Sequence, residues 1–363
     1  MPLITEHSVT LNLPLPKRAV HKKMDIFYNP VMASQRNLTI VFLNVFPKRN
    51  MVVADPLAGT GIRTLRFLKE LKRGKIKKIL VNDLKENFLK TFENNLRKNT
   101  LQKAPVHASN KDANLFLLEQ EGLDYVDLDP FGSPNPFISA ALARLSRGGI
   151  LAVTATDTAA LTGTYPSVTK RKYWATSQRN YLMHETGLRI LIRKIQLHGT
   201  SFDRALIPKL AYAKDHYFRI FFHVIKGKEQ ADTIVQQHQY FLFCPGCSSF
   251  RASRYNKETC SCGREFLFAG PLWTGPILDH TLVTAMRKAN PFPEEAKFLA
   301  TLAEESQKQC MGFYDLHALA RKYKRLPPRT DDVLRELDAV RTHFSLTGIK
   351  TEKSVEDVLA LFP

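Results

Sequence analysis

Short apolar runs alternate with amphipathic helical stretches over residues 51–155 of this chain. Within these runs apolar and polar residues do not alternate, which is typical of strands buried on both faces. The predicted strands are 51–55, 77–83, 124–128 and 149–155. The predicted helices are 62–71, a helix through Phe88, Phe92 and Leu96, a turn and helix over 110–118, and 136–145. This alternation predicts a parallel, doubly wound α/β sheet.

The pattern differs before residue 51. Residues 8–13 alternate between apolar and polar side chains like an edge strand, and a basic stretch, 17–23, follows them. Apolar residues then recur at helical spacing up to residue 46, and Asn29-Pro30 is a typical helix start. We therefore expect an N-terminal extension that places one strand and one helix ahead of the main sheet.

The pattern also changes after residue 200. Residues 206–212 and 217–224 are predicted strands joined by a short turn, a hairpin that would add an antiparallel edge to the sheet. A linker is expected near 226–230. We therefore predict two domains, 1–228 with a mixed, mostly parallel sheet and 229–363 with a smaller α+β fold. The second contains a cysteine cluster at about 240–268 and a helix–turn–helix-like end at about 310–363.

Charge narrows the class of partner. The 363 residues include 53 Lys and Arg against 34 Asp and Glu, a net charge of +19, which favours a polyanion such as nucleic acid over a membrane surface. No run reaches the roughly 18 apolar residues of a spanning helix, and the N-terminus lacks the design of a secretory signal. Five cysteines in so long a chain do not make a disulfide framework. We predict a cytoplasmic, reduced protein and no membrane association.

The stretch from Asp124 to Pro134 is the centre of the functional prediction. Its strand must end at Asp129-Pro130-Phe131-Gly132, because Pro130 cannot donate to a sheet ladder. A carboxylate, a carbonyl and an aromatic ring then lie at the carboxyl end of a strand, where ligands bind in open α/β sheets. Such a set can hold a flat base and accept hydrogen bonds from its amino group. A plain strand-to-loop turn is the alternative, since Asp, Pro and Gly are all turn formers.

Residues after the first two strands predict a nucleotide-type cosubstrate. Asp55 to Arg63 contains Gly59 and Gly61, which let the backbone approach a ligand at a helix start. Asp83 ends the second strand and is placed to bind ribose hydroxyls. Asp112 follows the expected third strand and is placed to accept from an adenine amino group. This set favours S-adenosylmethionine over a nicotinamide dinucleotide; a tight strand-to-helix turn remains the alternative for the glycines.

Four of the five cysteines are clustered. Cys244-Pro-Gly-Cys247 is a typical zinc knuckle, and Cys260-Ser-Cys262 supplies a second, tighter pair. In a reduced compartment four such thiols favour a structural Zn²⁺ over disulfides. Cys310 stands apart and is predicted to be a core residue.

Two basic segments are candidates for RNA contact. Lys170, Arg171 and Lys172 precede Tyr173 and Trp174, so cations for phosphates are mixed with rings for stacking. The segment 320–329 is a second basic patch, ahead of a predicted helix. For any one of these residues, a solvated basic helix face is an equal alternative.

Several stretches, in order from residue 27 to residue 351, resemble one family. They are 27–32 with Arg36, 127–134, Val153-Thr-Ala-Thr-Asp157, 214–219, 270–276, Arg341-Thr-His-Phe-Ser and Gly348-Ile-Lys-Thr. On these motifs the chain resembles the tRNA (guanine-26) dimethyltransferases, which methylate the 2-amino group of a guanine in tRNA twice. The resemblance implies a Rossmann-like class I methyltransferase domain and a C-terminal domain that helps to hold tRNA.

The resemblance also implies roles for particular residues. Those lining the cosubstrate pocket would be Arg36, Arg63, Asp83, Asp112 and Ala113. Contact of the two arginines with the methionyl carboxylate would be charge-assisted. Arg341, His343 and Lys350 would contact tRNA. The family does not always have the four cysteines, so a zinc ion here would be structural.

Together these observations predict a tRNA guanine 2-amino dimethyltransferase that uses S-adenosylmethionine. In our hypothesis Asp129 and the Pro130 carbonyl accept hydrogen bonds from the amino group, Asp129 takes the departing proton, and Phe131 stacks on the base. An amino-methyltransferase acting on adenine in DNA or another RNA, and a non-catalytic zinc-bearing RNA-binding protein, are the alternatives. We expect a monomer and see no signal for a protein partner.

Overall fold

The computed structural model describes residues 3–12 and 28–363. The predicted basic stretch 17–23 lies outside the described residues, as does Phe27 of the family motif. Fifteen strands occur in the described part: β1 (Leu3–Glu6), β2 (Val9–Asn12), β3 (Met51–Asp55), β4 (Ile76–Asn82), β5 (Val106–Ser109), β6 (Leu123–Leu128), β7 (Leu145–Ala155), β8 (Arg204–Lys214), β9 (Tyr217–Lys226), β10 (His238–Phe243), β11 (Phe250–Ser253), β12 (Leu267–Trp273), β13 (Tyr314–Asp315), β14 (Val340–Arg341) and β15 (Gly348–Lys350).

The described helices follow the strands of the main sheet and dominate the second half of the chain. They are α1 (Ala33–Val45), α2 (Ile62–Glu70), α3 (Phe88–Lys98), α4 (Ala113–Leu118), α5 (Ile138–Arg144), α6 (Thr158–Leu161), α7 (Pro166–Tyr173), α8 (Met183–Thr200), α9 (Lys228–Gln236), α10 (His280–Ala289), α11 (Ala296–Glu305), α12 (Leu316–Tyr323), α13 (Thr330–Glu336) and α14 (Val355–Ala360). Short 3-10 turns occur at Pro30–Met32, Asn135–Phe137 and Pro293–Glu295. Within the described ranges, no helix combines the length and apolarity needed to cross a membrane.

The main sheet has seven strands in the order β5-β4-β3-β6-β7-β9-β8. β3 pairs in parallel with β4 and β6, and β4–β5 and β6–β7 are also parallel. β8 and β9 are joined by the turn Asp215-His216 and therefore run antiparallel. This mixed, mostly parallel sheet with helices confirms the predicted fold class. The order reverses beside β3, so the loops after β3 and β6 both border the crevice where α/β sheets bind ligands.

The described chain divides into two compact units. One comprises the described residues up to 155, with 221–225 and 288–295; the other comprises 156–220, 226–287 and 296–363. The predicted linker near 226–230 instead contains the start of α9. This division does not test the domain boundary predicted near 228, which stays a prediction.

In the first unit the hairpin of β1 and β2 is part of the core. Val9 and Leu11 alternate inward from β2 and are fully buried with Phe88 and Phe92 of α3. The amide of Thr10 donates to Asn99 Oδ1 over 3.0 Å, which ties the strand to the end of α3. The predicted edge strand thus exists, but it pairs with β1 in a separate two-stranded sheet.

The second unit contains two small antiparallel sheets of three strands each. One has the order β11-β10-β12, and its β10–β11 connection bears the first cysteine pair. The other, β13-β15-β14, packs with α12, α13 and α14 around a core that includes Leu319, Val333 and Val358. The predicted helix pair near the C-terminus therefore exists as α12 and α13, and the small sheet adds the β component of the predicted α+β fold.

Candidate active site

Asp129, Pro130 and Phe131 lie directly after β6, at the carboxyl edge of the parallel strands. Pro130 is buried, Asp129 is half-buried and 51 % of the Phe131 side chain is exposed. Gly132 has φ 81°, a left-handed conformation that lets the chain turn away from the strand. The structure therefore places the predicted acid, carbonyl and ring together at the ligand-binding edge of the sheet.

The guanidinium of Arg63 lies between two carboxylates of this segment. Arg63 comes from the first turn of α2 and its side chain is 6 % exposed. Its Nη2 is paired with Asp129 Oδ2, and its Nη1 lies 3.3 Å from Asp127 Oδ2. Nη2 also donates to Gln35 Oε1 over 2.7 Å. One cation thus fixes the direction of the Asp129 carboxylate.

Two residues of this network were not singled out from the sequence. Asp127 is fully buried, and the Tyr125 hydroxyl donates to its Oδ2 over 2.6 Å. Gln35 is fully buried in α1, and its Nε2 donates to Thr154 Oγ1 over 2.6 Å. Asp127 was detectable in principle, because a charged residue inside an apolar strand needs a buried cation. Gln35 gave no such signal, since polar residues are common in helices.

Asp55, predicted to bind cosubstrate, is buried beneath the edge of the sheet. Its side chain accepts a hydrogen bond from Thr64 Oγ1 over 2.9 Å and is only 2 % exposed. Burial raises the pKa of Asp55 to about 7, while the Arg63 charge lowers it and the Asp127 charge raises it. Its place in the structure is that of a support for the β3–α2 turn.

The natural chain should lose stability as pH rises, and the Asp55→Asn variant should not show this loss. The pKa of Asp55 is about 7 in the folded chain against an ordinary 3.8, so between these values only the folded state keeps the proton. The free energy of unfolding of the natural chain should therefore fall, relative to Asp55→Asn, as pH rises through this window, and level off above it. Urea denaturation of both proteins from pH 4 to pH 8 measures this. A constant difference between the two would contradict it.

Asp83 and Asn82 order three loops at the carboxyl edge. Asp83 Oδ2 accepts from the amide of Gly59 over 2.7 Å, so the carboxylate faces the β3–α2 turn. The fully buried Asn82 donates to Pro56 O over 3.1 Å and to Lys111 O over 3.0 Å. Asn82 thereby joins the loops after β3, β4 and β5. Nothing in the sequence signals this role, because Asn82 is simply a polar residue next to Asp83.

The glycines and the β5–α4 turn complete this edge. Gly59 and Gly61 have φ 59° and 75°, and Gly61 precedes the first residue of α2. A Cβ on Gly61 would collide with the Phe92 ring, so this glycine serves helix packing as well as ligand approach. Asp112 is exposed, and its Oδ1 caps α4 by accepting from two amides, while Ala113 is buried behind it. These positions fit the cosubstrate roles implied by the resemblance.

Arg36 lies in a buried ion pair. Its Nε donates to Glu6 Oε1 over 2.7 Å, and Arg66 Nη1 lies 2.9 Å from the same oxygen. Burial opposes ionisation of Glu6, but the two guanidiniums outweigh it and lower the pKa of Glu6. Arg36 also donates to Asn29 O over 3.1 Å. A contact of Arg36 with the methionyl carboxylate stays a prediction, and the Arg36 guanidinium would then have to bind both that carboxylate and Glu6.

The four clustered cysteines have the arrangement of a metal site. Cys244, Cys247, Cys260 and Cys262 place their Sγ atoms within 4.8 Å of one another. A tetrahedral Zn²⁺ with Zn–S bonds of about 2.3 Å needs sulfur separations of about 3.8 Å, so the set fits zinc. The Cys247 amide points at Cys244 Sγ over 3.5 Å, as in a zinc knuckle. The cluster could hold one structural zinc ion.

Metal analysis should find one Zn²⁺ per chain in protein purified without chelator. The substitution Cys260→Ser should lower the zinc content and destabilise the sheet of β10, β11 and β12, because a structural zinc site supplies folding free energy directly. Inductively coupled plasma mass spectrometry and thermal unfolding measure both effects. Cys310→Ser, outside the cluster, is the matched control. Zinc-free natural protein would disprove the site.

The predicted basic cluster lies on α7. Lys170 and Arg171 are exposed at its last turn, and Lys172, also exposed, lies 3.6 Å from Asp157 Oδ2. Tyr173 is fully buried, and its hydroxyl donates to Asp157 over 2.6 Å. The cations therefore face solvent, as phosphate contacts require.

The three basic residues near the C-terminus differ in exposure. Arg341 pairs with Asp331 over 2.7 Å and its side chain is 40 % exposed. The side chains of His343 and Lys350 are buried: His343 Nδ1 lies 2.6 Å from Glu305, and Lys350 Nζ lies 3.0 Å from Glu185. Burial raises the pKa of Glu305, but His343 and Lys350 outweigh it and bring that pKa to about 2. This burial argues against direct tRNA contact by His343 and Lys350, and it points to a role in holding α8, α11 and β15 together.

Known proteins resemble this chain along its whole length. The model of the family described as N2,N2-dimethylguanosine tRNA methyltransferase matches residues 5–362. A tRNA (guanine(26)-N(2)/guanine(27)-N(2))-dimethyltransferase from Aquifex aeolicus is 37 % identical and covers 99 % of this chain and 95 % of its own. A tRNA (guanine(26)-N(2))-dimethyltransferase from Pyrococcus furiosus is 34 % identical over 98 % of this chain and 97 % of its own.

A solved structure agrees with these relatives. Trm1 from Pyrococcus horikoshii, in complex with S-adenosyl-L-methionine, superposes with a TM-score of 0.87, is 30 % identical and covers 100 % of both chains. The family resemblance drawn from the motifs is thereby confirmed. On the match of residues 5–362 and on relatives of this identity and coverage, the chain belongs to the N2,N2-dimethylguanosine tRNA methyltransferase family.

Proposed function

We propose that this protein transfers two methyl groups from S-adenosylmethionine to the 2-amino group of guanine 26 in tRNA. Membership of the family supports the reaction, and the relatives' names specify the substrate. The observation that carries the proposal in this chain is Asp129 at the carboxyl end of β6, held by Arg63 and followed by the half-exposed ring of Phe131.

The sulfonium of S-adenosylmethionine supplies a strongly electrophilic methyl group. The residues of this chain therefore mainly align a poor nucleophile, because the guanine amino lone pair is delocalised into the ring. The Asp129 carboxylate and the Pro130 carbonyl accept hydrogen bonds from the two amino hydrogens. These bonds localise the lone pair on nitrogen, and Asp129 accepts the proton that leaves.

Phe131 supplies a stacking surface for the base. Phe131 is 51 % exposed although it follows a buried proline, so part of its surface is accessible to a ligand. A guanine stacked inside tRNA cannot reach Asp129 unless it is first flipped out of the helix. Stacking on the Phe131 ring would offset part of the stacking free energy that is lost. Stacking beside Asp129 would hold the amino group in line with the methyl group.

The cosubstrate would be held by the loops after β3, β4 and β5. Asp83 would accept from the ribose hydroxyls, and Asp112 from the adenine amino group. Arg63 would contact the methionyl carboxylate, because its guanidinium already lies at the edge of the sheet. Gly59 and Gly61 would let the backbone approach the ligand. Arg36, which is paired with Glu6, would also contact the methionyl carboxylate.

The tRNA would be held by the C-terminal part of the chain together with the basic end of α7. We keep the predicted boundary near residue 228 as a proposal, with 229–363 as the tRNA-holding domain. The exposed Lys170 and Arg171 of α7 and the partly exposed Arg341 would contact phosphates. We also propose that the protein acts as a monomer in the cytoplasm; light scattering after gel filtration tests the first point, and cell fractionation tests the second.

Methyl transfer to unmodified tRNA transcripts tests the proposed reaction. Dimethylguanosine in the digested product, lost when guanine 26 is replaced, is the expected result. Replacing guanine 27 in a second transcript shows whether that position is also modified, as the name of the Aquifex relative specifies for that enzyme. Methyladenosine, or no transfer although S-adenosylmethionine binds, would overturn the proposal.

A further inference from the structure

Trp174 has an unusual combination of conformation and exposure. It caps α7 with φ 55° and ψ 41°, a left-handed conformation that glycine adopts at helix ends without strain. For a bulky side chain this conformation costs free energy, and such outliers concentrate at functional sites. The side chain is nevertheless 55 % exposed, so burial of the ring does not offset that cost.

The Trp174 ring is fixed in place. Its amide donates to Lys170 O over 3.1 Å, and its carbonyl accepts from Arg193 Nη1 over 3.3 Å. The ring lies against one face of α8, over Lys194 and His198, which are one helical turn apart. The His198 ring is nearly parallel to the indole, at 18°, with centroids 6.1 Å apart. A ring that is already packed on one face loses little entropy when a ligand stacks on the other.

Lys194 lies beneath this ring. Its Nζ is 2.8 Å from the indole centroid, and Lys194 is only 3 % exposed. Over residues 3–12 and 28–363, no carboxylate pairs with Lys194. Burial, and then the charge of Arg193, lower the pKa of Lys194 to about 8. The inner face of the indole is therefore occupied by a cation, and the exposed area belongs to the rest of the ring.

The surroundings of Trp174 are basic. Lys170 and Arg171 are exposed one turn before it on α7. Tyr165, at the other end of α7, is 57 % exposed. An eight-residue helix spans about 12 Å, so the two exposed rings lie at the ends of a short helix that bears exposed cations. Rings at the ends of a cationic row are typical of surfaces that bind unstacked nucleotides.

We propose that the exposed indole face of Trp174 is a stacking platform for an unstacked nucleobase of the bound tRNA, at a nucleotide other than the methylated guanine. This inference rests on the proposed function, because it takes tRNA as the partner. The cation behind the indole draws its π electrons inward and makes the outer face a better partner for an electron-rich base. Lys170 and Arg171 supply the phosphate contacts beside it.

Other partners fit this surface less well. An apolar protein segment would meet a single ring within a cluster of cations, at a desolvation cost for each cation. A polyanion gains from the same charges, including the unneutralised Lys194. The combination of one flat ring with surrounding positive charge therefore favours a nucleic acid over a protein.

Tryptophan fluorescence tests the proposal directly. The chain has two tryptophans, and Trp273 is only 3 % exposed, so acrylamide quenches mainly Trp174. Saturating tRNA should protect the exposed tryptophan from acrylamide, and the Trp174→Gly variant should lose this component. Acrylamide quenching that is unchanged by saturating tRNA would overturn the proposal.

Binding measurements with variants provide a second test. Trp174→Gly keeps the left-handed backbone without strain, so this variant should fold. Its Kd for unmodified tRNA should rise about ten- to a hundred-fold at fixed ionic strength, whereas Trp174→Phe should stay within about three-fold. Tyr255→Gly removes an exposed ring elsewhere in the same unit, 72 % exposed, and is the matched control; its Kd should rise clearly less than that of Trp174→Gly.

The outcomes separate this inference from the proposed function. If Trp174→Gly binds tRNA as tightly as the natural chain, or if Tyr255→Gly weakens binding equally, the platform is disproved while methyl transfer can stand. If the natural chain binds tRNA with Trp174 protected but does not methylate guanine 26, the proposed function fails and the platform stands. An unchanged Kd for S-adenosylmethionine in Trp174→Gly confirms that the fold is intact.

Discussion

Asp129→Asn is expected to lower the turnover of methyl transfer by about 10²- to 10⁴-fold, the usual contribution of a positioned general base. The amide keeps the size of the side chain and can still accept one hydrogen bond, but it cannot take the proton. Because Asn keeps an oxygen near Arg63, S-adenosylmethionine should bind within a few-fold of its normal affinity. Single-turnover transfer to tRNA and calorimetric binding of the cosubstrate measure the two effects.

Asp124→Asn is the matched control for this variant. Asp124 lies at the opposite end of the same strand, where it pairs with Lys48 over 3.0 Å and accepts from the Val52 amide over 2.9 Å. Its loss removes a carboxylate from β6 without touching the carboxyl edge, so turnover should be near normal. Near-normal turnover in Asp129→Asn as well would rule out Asp129 as the proton acceptor.

Arg63→Met is expected to reduce both stability and cosubstrate binding. The guanidinium lies between Asp127 and Asp129, and Asp127 is fully buried. Removing one partner of a buried ion pair costs about 3–5 kcal/mol of unfolding free energy, because the remaining charge stays desolvated. Loss of the proposed charged hydrogen bonds to the methionyl carboxylate should weaken binding of S-adenosylmethionine by about ten- to a hundred-fold. Urea denaturation and calorimetry measure these effects.

A double variant separates the two causes. Arg63→Met with Asp127→Asn removes the buried charge together with its partner, so part of the lost stability should return. Cosubstrate affinity should not return, because the proposed contact to the methionyl carboxylate is still missing. Normal S-adenosylmethionine affinity in Arg63→Met would show that this arginine does not bind the cosubstrate.

The sequence predicted the main sheet well because local chemistry determines it. Apolar runs such as 51–55 cannot be exposed and have the length of strands, and β3 has those bounds in the structure. The turn at Asp129-Pro130 was equally visible, because proline must end a central strand. The parallel order of the strands then brought Asp83 and Asp129 to the same edge without further information.

Pairings between distant residues were not visible in the sequence. The family resemblance implies a tRNA contact for Lys350, whereas the structure shows its ammonium buried beside Glu185, 165 positions away. Arg36 meets Glu6 across a segment whose pattern predicts no such pair. A lysine or arginine looks the same in a sequence whether it faces solvent or neutralises a buried acid. For this reason the turn after β6 could be predicted, while the environments of Arg36 and Arg63 could not.

The first compact unit also has a consequence for biosynthesis. It is completed by residues late in the chain: Ser34 donates to Glu295 over 2.8 Å, Asn37 donates to Glu294 over 2.9 Å, and the Arg66 guanidinium lies 5.4 Å from the centre of the Phe292 ring. A ribosome must therefore translate most of the chain before these partners emerge. Until then Ser34, Asn37 and Arg66 lack these contacts, and a fragment truncated near residue 228 would never gain them.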